Sequence, residues 1–421
     1  METGWQKQSL MFDCLPEQAF APLSSLSGSI LLTTQRPSFS ERYSFITWEP
    51  RSVLEGNINN LGLSQLTHFV ENHKSNFIAG YLGYETGHLF EHLPPLKEKD
   101  TPLPHCYLAA YDNFLQYDHF TKKWWQWFNS TPPKVKLNTG SSIGNFEAKW
   151  LGTNQTKQTY LENIKKILNY IRQGDVYEVN YTQRCYFRYQ GHPYVFFLQL
   201  IQSQPVAYAA FINTPSGTII SGSPELFLKV NKNQVLSKPM KGTRKRGRSL
   251  KEDIKLRKDL KRSLKDKAEN LMIVDLMRND LGKICVPGSV RVPKLFVVER
   301  YHTVFQMVSH ITGILNPNIG LIDILKASFP PGSITGAPKK RAMEIINELE
   351  PHQRGVYTGV IGFCWQGKLV LSVAIRTIEL FENKGVMGVG GGIVFDSDPE
   401  AEYEESLLKA KATMQALRIT K

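Results

Sequence analysis

Residues 1 to about 130 alternate short β-branched and aromatic runs with Gly and Pro turns, as in SGSILLTT, RYSFITWEP, FIAGYLGYETG and CYLAAYDNFLQYDH. Alternation with a period of two predicts an antiparallel sheet region. From 131 to 156 the chain turns rich in Pro, Gly, Ser and Asn and loses its periodicity, which predicts a linker. At Thr159 the Thr-x-x-Glu spacing to Glu162 reads as a capping box, and Leu161, Ile164, Ile167, Leu168 and Ile171 follow at helical spacing until Gly174. Strand-like runs follow (YAAFINT, GTIISG, ELFLKV, VYTGVIGFCWQ, KLVLSVAIRTIEL, GVMGVGGGIVF), between helical blocks at about 251–279, 320–328, 338–349 and 400–418. No helical crossover recurs between successive strands, so the pattern predicts an α+β fold with antiparallel sheets, not a doubly wound parallel sheet. The expected division is an N-terminal region 1–130, a linker 131–156 and a second domain 157–419.

Composition sets the class. With 421 residues, 41% of them hydrophobic and 21% charged, the chain can bury a large core or two packed ones and has no room for long disorder. No apolar stretch reaches the roughly 18 residues of a membrane span. The start METGWQKQSLMFD lacks the basic-then-apolar order of a secretory signal, so a cytoplasmic protein with no membrane partner is expected. A net charge of +13 suits a nucleic-acid binder or a protein handling small anions. Much of the excess lies between Lys241 and Lys267, where acidic residues are interspersed and aromatic ones missing. That run reads as a solvated helix face, and no nucleic-acid partner is expected. The five cysteines are odd in number and show no Cys-x-x-Cys spacing, so neither disulfides nor a zinc site are expected. None has the glycine-flanked elbow of a glutaminase nucleophile, so the chain is not expected to hydrolyse glutamine itself.

Candidate chemistry is concentrated in a few places. Asp266 and Glu269, and again Glu402 and Glu405 with Lys409 one turn on, share helix faces. Such spacing ordinarily marks a surface ion-pair ladder. Glu269, however, runs straight into the apolar LMIVDLM, and carboxylates against a buried stretch call for a cation such as magnesium. The run Gly388, Gly390, Gly391 and Gly392 frees backbone amides to cradle an anion, or simply makes a tight turn. In FPPGSITGAPKKRAMEII small residues precede a helix start that could receive a carboxylate. Lys241, before a Gly-Thr turn, is either a solvated lysine or a nucleophile whose pKa must be lowered by nearby cations and desolvation.

Together these segments resemble the chorismate-utilising enzymes: anthranilate synthase component I, aminodeoxychorismate synthase component I, isochorismate synthase and salicylate synthase. The likeness runs from about 157 to 418 through GDVYEVNYTQR, SGSPELFL, KPMKGTRKRG, ENLMIVDLMRNDLG, FPPGSITGAPKKRAMEIINELEP, RGVYTGVIG, AIRT and GGGIVFDSDPEAEYEESLLKA. It implies two antiparallel sheets packed as a sandwich with flanking helices. It also implies Glu269 and Glu405 as magnesium ligands, with the acidic Asp266 and Glu402 behind them. Lys409, Arg376, Tyr357, Thr243, Ser333 and the amides of Gly391 and Gly392 would hold the substrate. Aminodeoxychorismate synthases carry Lys before Gly-Thr where anthranilate synthases carry Ala, and here that residue is Lys241. The implied reaction replaces the C4 hydroxyl of chorismate with an amino group, on the route to para-aminobenzoate and folate. Lys241 would attack C2, Glu225 would protonate the departing hydroxyl, and ammonia from a separate glutamine amidotransferase subunit would then add at C4. Anthranilate formation is the alternative.

The chain departs from that pattern in places. Gln306 stands where many relatives have His, Glu178 where Gln is commoner, and Pro331 where Gly is found. Neither of the last two is expected to abolish activity. Relatives also hold a tryptophan in the N-terminal region. RYSFI (42–46) and QPVAYAAFI (204–212) lie near the segments that would line such a pocket and read equally well as core.

Overall fold

The structure, a computed structural model, describes residues 4–129, 131–132, 144–301 and 304–416. The strand-like runs assemble into a twelve-stranded and a ten-stranded sheet whose strand pairs are antiparallel. Tyr208–Thr214 shows why two sheets form: Ala209 and Phe211 enter a core on one face, Ala210 and Ile212 a core on the other. The inner core is dense in aromatic rings. Phe77 of the ten-stranded sheet stacks on Phe114 of the twelve-stranded sheet at 4.4 Å, and Phe363 meets Phe45 at 4.6 Å. The sheets therefore pack face to face, as expected, and apolar burial between them supplies the main stabilisation.

Helices cover the outer faces. Leu63–Asn72, Leu264–Gly282 and Leu321–Ser328 bury Leu66, Val274 and Leu325 against the ten-stranded sheet. Pro193–Ser203 and Pro399–Ala416 bury Phe197 and Ala410 against the other. No described helix is long and apolar enough to cross a membrane.

Several local readings need correction. Residues 1–130 and 157–419 share both sheets, since Ile30–Thr33 pairs with Tyr208–Thr214 and Phe77–Leu82 with Val360–Trp365. Within the expected linker 131–156, Phe146–Thr153 is a strand on Glu178–Gly191, and 133–143 lies outside the described residues. Its alternation is carried by only two buried residues, Phe146 and Ala148, beside the exposed Glu147 and Lys149. The helix Lys157–Arg172 is capped by Thr156, whose hydroxyl accepts from the Thr159 amide at 3.1 Å, not by Thr159. The block 251–279 breaks at Ser263, which caps the second of two helices, Leu250–Arg262 and Leu264–Gly282. The run KLVLSVAIRTIEL also breaks: Lys368–Val373 belongs to the ten-stranded sheet and Thr377–Phe381 to the other, the chain crossing at Arg376 with φ +51°.

Candidate active site

Lys241 lies on the strand Met240–Lys245, paired with Val304–Ile314. The register slips between Met240 and Thr243, a bulge at Lys241–Gly242. Bulges re-aim side chains. Gly242 makes this one feasible twice over: its φ is +82°, and a Cβ there would stand 2.7 Å from Asp266 Oδ1. The bulge sends Lys241 away from the solvated basic run and into the end of the sandwich, where its ammonium donates to Glu178 Oε1. Glu178 begins the strand Glu178–Gly191 of the other sheet, beside Lys384–Ile393, with Asn180 opposite Gly392. A Cβ on Gly392 would lie 2.2 Å from Glu178 Oε1 and 3.1 Å from Lys241 Nζ, so only glycine leaves room for this pair. Burial pulls the Lys241 pKa down, but Glu178, with Glu269 and Glu225 farther off, more than reverses this and raises it. Carboxylates, not the expected cations, surround the amine, so in the free protein it is an ammonium.

Glu225 and Ser333 come together from distant parts of the chain, Ser333 Oγ donating to Glu225 Oε1 at 2.6 Å. Burial pushes the Glu225 carboxyl up to about 7, against the opposing pull of the Ser333 hydrogen bond and the Lys241 charge. A carboxyl so placed is part protonated at neutral pH and fit to give a proton.

The helix pairs flank Lys241. Burial, reinforced by Glu178 and Asp266, pushes Glu269 up to about 7, and among the described residues it makes no ion pair. Asp266 is held by Arg244 at 2.6 Å. Burial and the neighbouring Glu405 raise Glu402, which accepts from Ser397 at 2.7 Å. Lys409 lowers Glu405, 3.0 Å away, and also donates to the Gly390 carbonyl at 2.8 Å. Gly391 faces Glu402 and Lys409. No group of three or more His, Cys, Asp or Glu side chains forms a metal cage among the described residues. Magnesium does not need one, since it takes one or two carboxylates and completes its shell with substrate and water. Glu269 and Glu402, raised by burial and by neighbouring carboxylates, fit such an ion, whereas Glu405 is already paired with Lys409.

A family model for chorismate binding enzymes matches residues 29–415. The chain belongs to the chorismate binding enzymes. Among its relatives in this family, the aminodeoxychorismate synthase component 1 of Escherichia coli is 38% identical over 90% of this chain and 85% of that protein. The anthranilate synthase component 1 of Saccharolobus solfataricus is 35% identical over 91% of this chain and 92% of its own. The crystal structure of anthranilate synthase component I from Streptococcus pneumoniae superposes with a TM-score of 0.78 at 26% identity, covering 90% of this chain and 93% of that one. The menaquinone-specific isochorismate synthase of Escherichia coli shares the fold alone, with a TM-score of 0.79 at 15% identity, over 98% and 94% of the chains.

Pair by pair, the structure brings Lys241, Glu225, Ser333, Gly391, Gly392 and the two acidic helix ends into one neighbourhood. The other three expected residues have partners of their own. Tyr357 packs its ring under Gly388. Arg376 donates to Gln204 at 3.3 Å, and burial lowers its pKa. Thr243 sits opposite Gln306, 3.5 Å away, at the strand edge. Two residues gain weight from the structure. Glu178, expected from the sequence only not to abolish activity, is the residue that Lys241 touches. Arg354, 3% exposed, ties the site together: it pairs with Glu350 at 2.7 Å and donates to the carbonyls of Asn180 and Ile334. RYSFI and QPVAYAAFI do line a cavity, of about 260 Å³, between the sheets and away from Lys241.

Proposed function

We propose that this chorismate binding enzyme is an aminodeoxychorismate synthase component 1, which exchanges the C4 hydroxyl of chorismate for an amino group. The reading is carried by Lys241: the residue that separates aminating relatives from anthranilate synthases is here a buried amine facing Glu178, beside the carboxyl of Glu225. In the proposed reaction the Lys241 nitrogen bonds to C2, the ring double bonds shift, and the C4–oxygen bond breaks. Glu225 supplies the proton with which the hydroxyl leaves as water, a contribution of about 10²- to 10⁴-fold. Ammonia then bonds to C4, the double bonds return, and Lys241 leaves.

Lys409, Arg376 and the amides of Gly391 and Gly392 are proposed to hold the substrate carboxylates, with Ser333, Thr243 and Tyr357 lining the space. Glu269 and Glu405 would hold a magnesium ion, backed by Asp266 and Glu402, and the ion would supply positive charge for the ring carboxylate. Ammonia is proposed to come from a glutamine amidotransferase partner. Burial pushes the thiols of all five cysteines up, which suits none of them to nucleophilic attack on glutamine.

Incubation with chorismate, magnesium and ammonia tests the reading. The expected product yields para-aminobenzoate only after a lyase is added. Direct release of fluorescent anthranilate with pyruvate would replace this reading with the anthranilate synthase one, and chorismate loss without ammonia would favour an isochorismate or salicylate synthase. Lys241→Ala is expected to abolish amination, and amination at the original rate would refute the role given to Lys241.

A further inference from the structure

Chorismate carries two carboxylates, and the place it has to reach is walled by others: Glu178, Glu225, Glu269 and Glu405 all act on Lys241. Like charges repel a dianion on its way in, so attraction has to come from outside that wall.

The basic run supplies it. Residues 241–267 hold thirteen Lys and Arg against four Asp and Glu, a net +9 out of the chain's +13. Folding keeps this run close to the chemistry. Leu260 pins the helix Leu250–Arg262 in a small core with Phe305 and Met307, on the strand that pairs with Met240–Lys245. The chain then turns at Ser263 into the helix Leu264–Gly282, whose first turn carries Asp266, the residue 2.7 Å from a Cβ on Gly242. Lys261, Arg262 and Lys265 are all within five residues of Asp266, so they lie at most about 18 Å from it along the chain. Lys265 also acts on the acidic pairs of both helices, since Glu269, Glu402 and Glu405 all feel its charge.

Most of these cations are not used up in pairing. Arg244 and Arg246 hold Asp266 and Asp253 at 2.6 and 2.7 Å. By contrast Lys255, Arg257, Lys258, Lys261, Arg262 and Lys265 are exposed and make no ion pair among the described residues. Lys261 and Arg262 complement the C-terminal turn of their helix, which does not account for the other four. Unpaired charges of one sign beside a binding site set up a field that concentrates the opposite charge there.

We propose that the corner where these two helices meet is an electrostatic collar that captures the dianionic substrate and concentrates it beside Lys241. The collar acts on arrival, through kcat/KM, and leaves kcat untouched. This inference rests on chorismate as the substrate and not on what is made from it, so the amination reading can fail without it.

The test follows chorismate consumption by the full chain, with saturating magnesium and ammonia, in low salt and in 1 M salt. One variant combines Lys258→Gln, Lys261→Gln and Arg262→Gln. A control combines Lys7→Gln, Lys122→Gln and Lys123→Gln, which removes the same charge at the edge of the twelve-stranded sheet opposite the strand of Glu178. In low salt the first variant is expected to lose about tenfold in kcat/KM, the lower end of what a focused field contributes, with kcat and melting temperature held. In 1 M salt, where the screening length is about 3 Å, the wild type is expected to fall to the level of the variant. The control is expected to follow the wild type throughout. No loss in the first variant, an equal loss in the control, or a loss that persists in 1 M salt overturns the inference. A loss confined to glutamine-dependent turnover with an amidotransferase partner overturns it too, and makes the corner a surface for that partner.

Discussion

At the scale of single residues, the site works by unequal burial of like groups. Glu225 and Glu269 are both pushed up to about 7, mainly by burial, whereas Glu405 is lowered by Lys409. If Glu225 acts as the acid, its protonated form is present below about 7 and is lost as pH rises through that value, so kcat/KM should fall over that range. Ser333→Ala removes a hydrogen bond that favours the charged carboxylate, so the carboxyl should hold its proton longer and the falling limb should move to higher pH. A pH–rate profile of both proteins checks the sign. Glu269 gives a second expectation. In the presence of chorismate, magnesium should stabilise the protein by about 2.7 kcal/mol at a hundred times its Kd, seen as a rise in melting temperature, and Glu269→Ala should lose that rise.

At the scale of elements, a bulge and a glycine strand do what no single side chain could. Without the slip at Lys241–Gly242 the lysine would follow the pleat of its strand; with it, the amine crosses to the opposite sheet. Gly392 is the matching feature. Gly392→Ala puts a methyl group 2.2 Å from Glu178 Oε1, an overpacking expected to cost about 1–3 kcal/mol and to spoil the position of Lys241. Steady-state kinetics beside a urea melt should show activity falling far more than stability. Lys241 and the glycine run were legible as separate motifs; that Gly392 leaves room for the contact between Lys241 and Glu178 was not.

At the scale of the whole molecule, the chain passes repeatedly between two sheets and closes the site where their ends meet. Arg354 joins the strand that starts at Glu178 to the turn that carries Ser333, through the carbonyls of Asn180 and Ile334. Arg354→Met would leave Glu350 buried without its partner, at about 3–5 kcal/mol, and chemical denaturation should record the loss. The segments 1–130 and 157–419 interleave in both sheets, so neither is expected to keep the site intact alone.

The sequence by itself determined the α+β class and most strands and helices, and it supplied the candidate residues of the site, because alternation, helical spacing and local motifs are properties of neighbouring residues. It placed Lys241, Glu225, Ser333 and the acidic pairs without indicating which would touch. Tertiary structure decided that Lys241 meets Glu178, that KLVLSVAIRTIEL changes sheets at Arg376, and that a strand hides in the supposed linker. It also reversed the electrostatic setting of the amine, from the cations adjacent in sequence to carboxylates adjacent in space. The reason is physical: proton affinity depends on burial and on charges within a few ångströms, and these are fixed only when strands far apart in the chain are brought side by side.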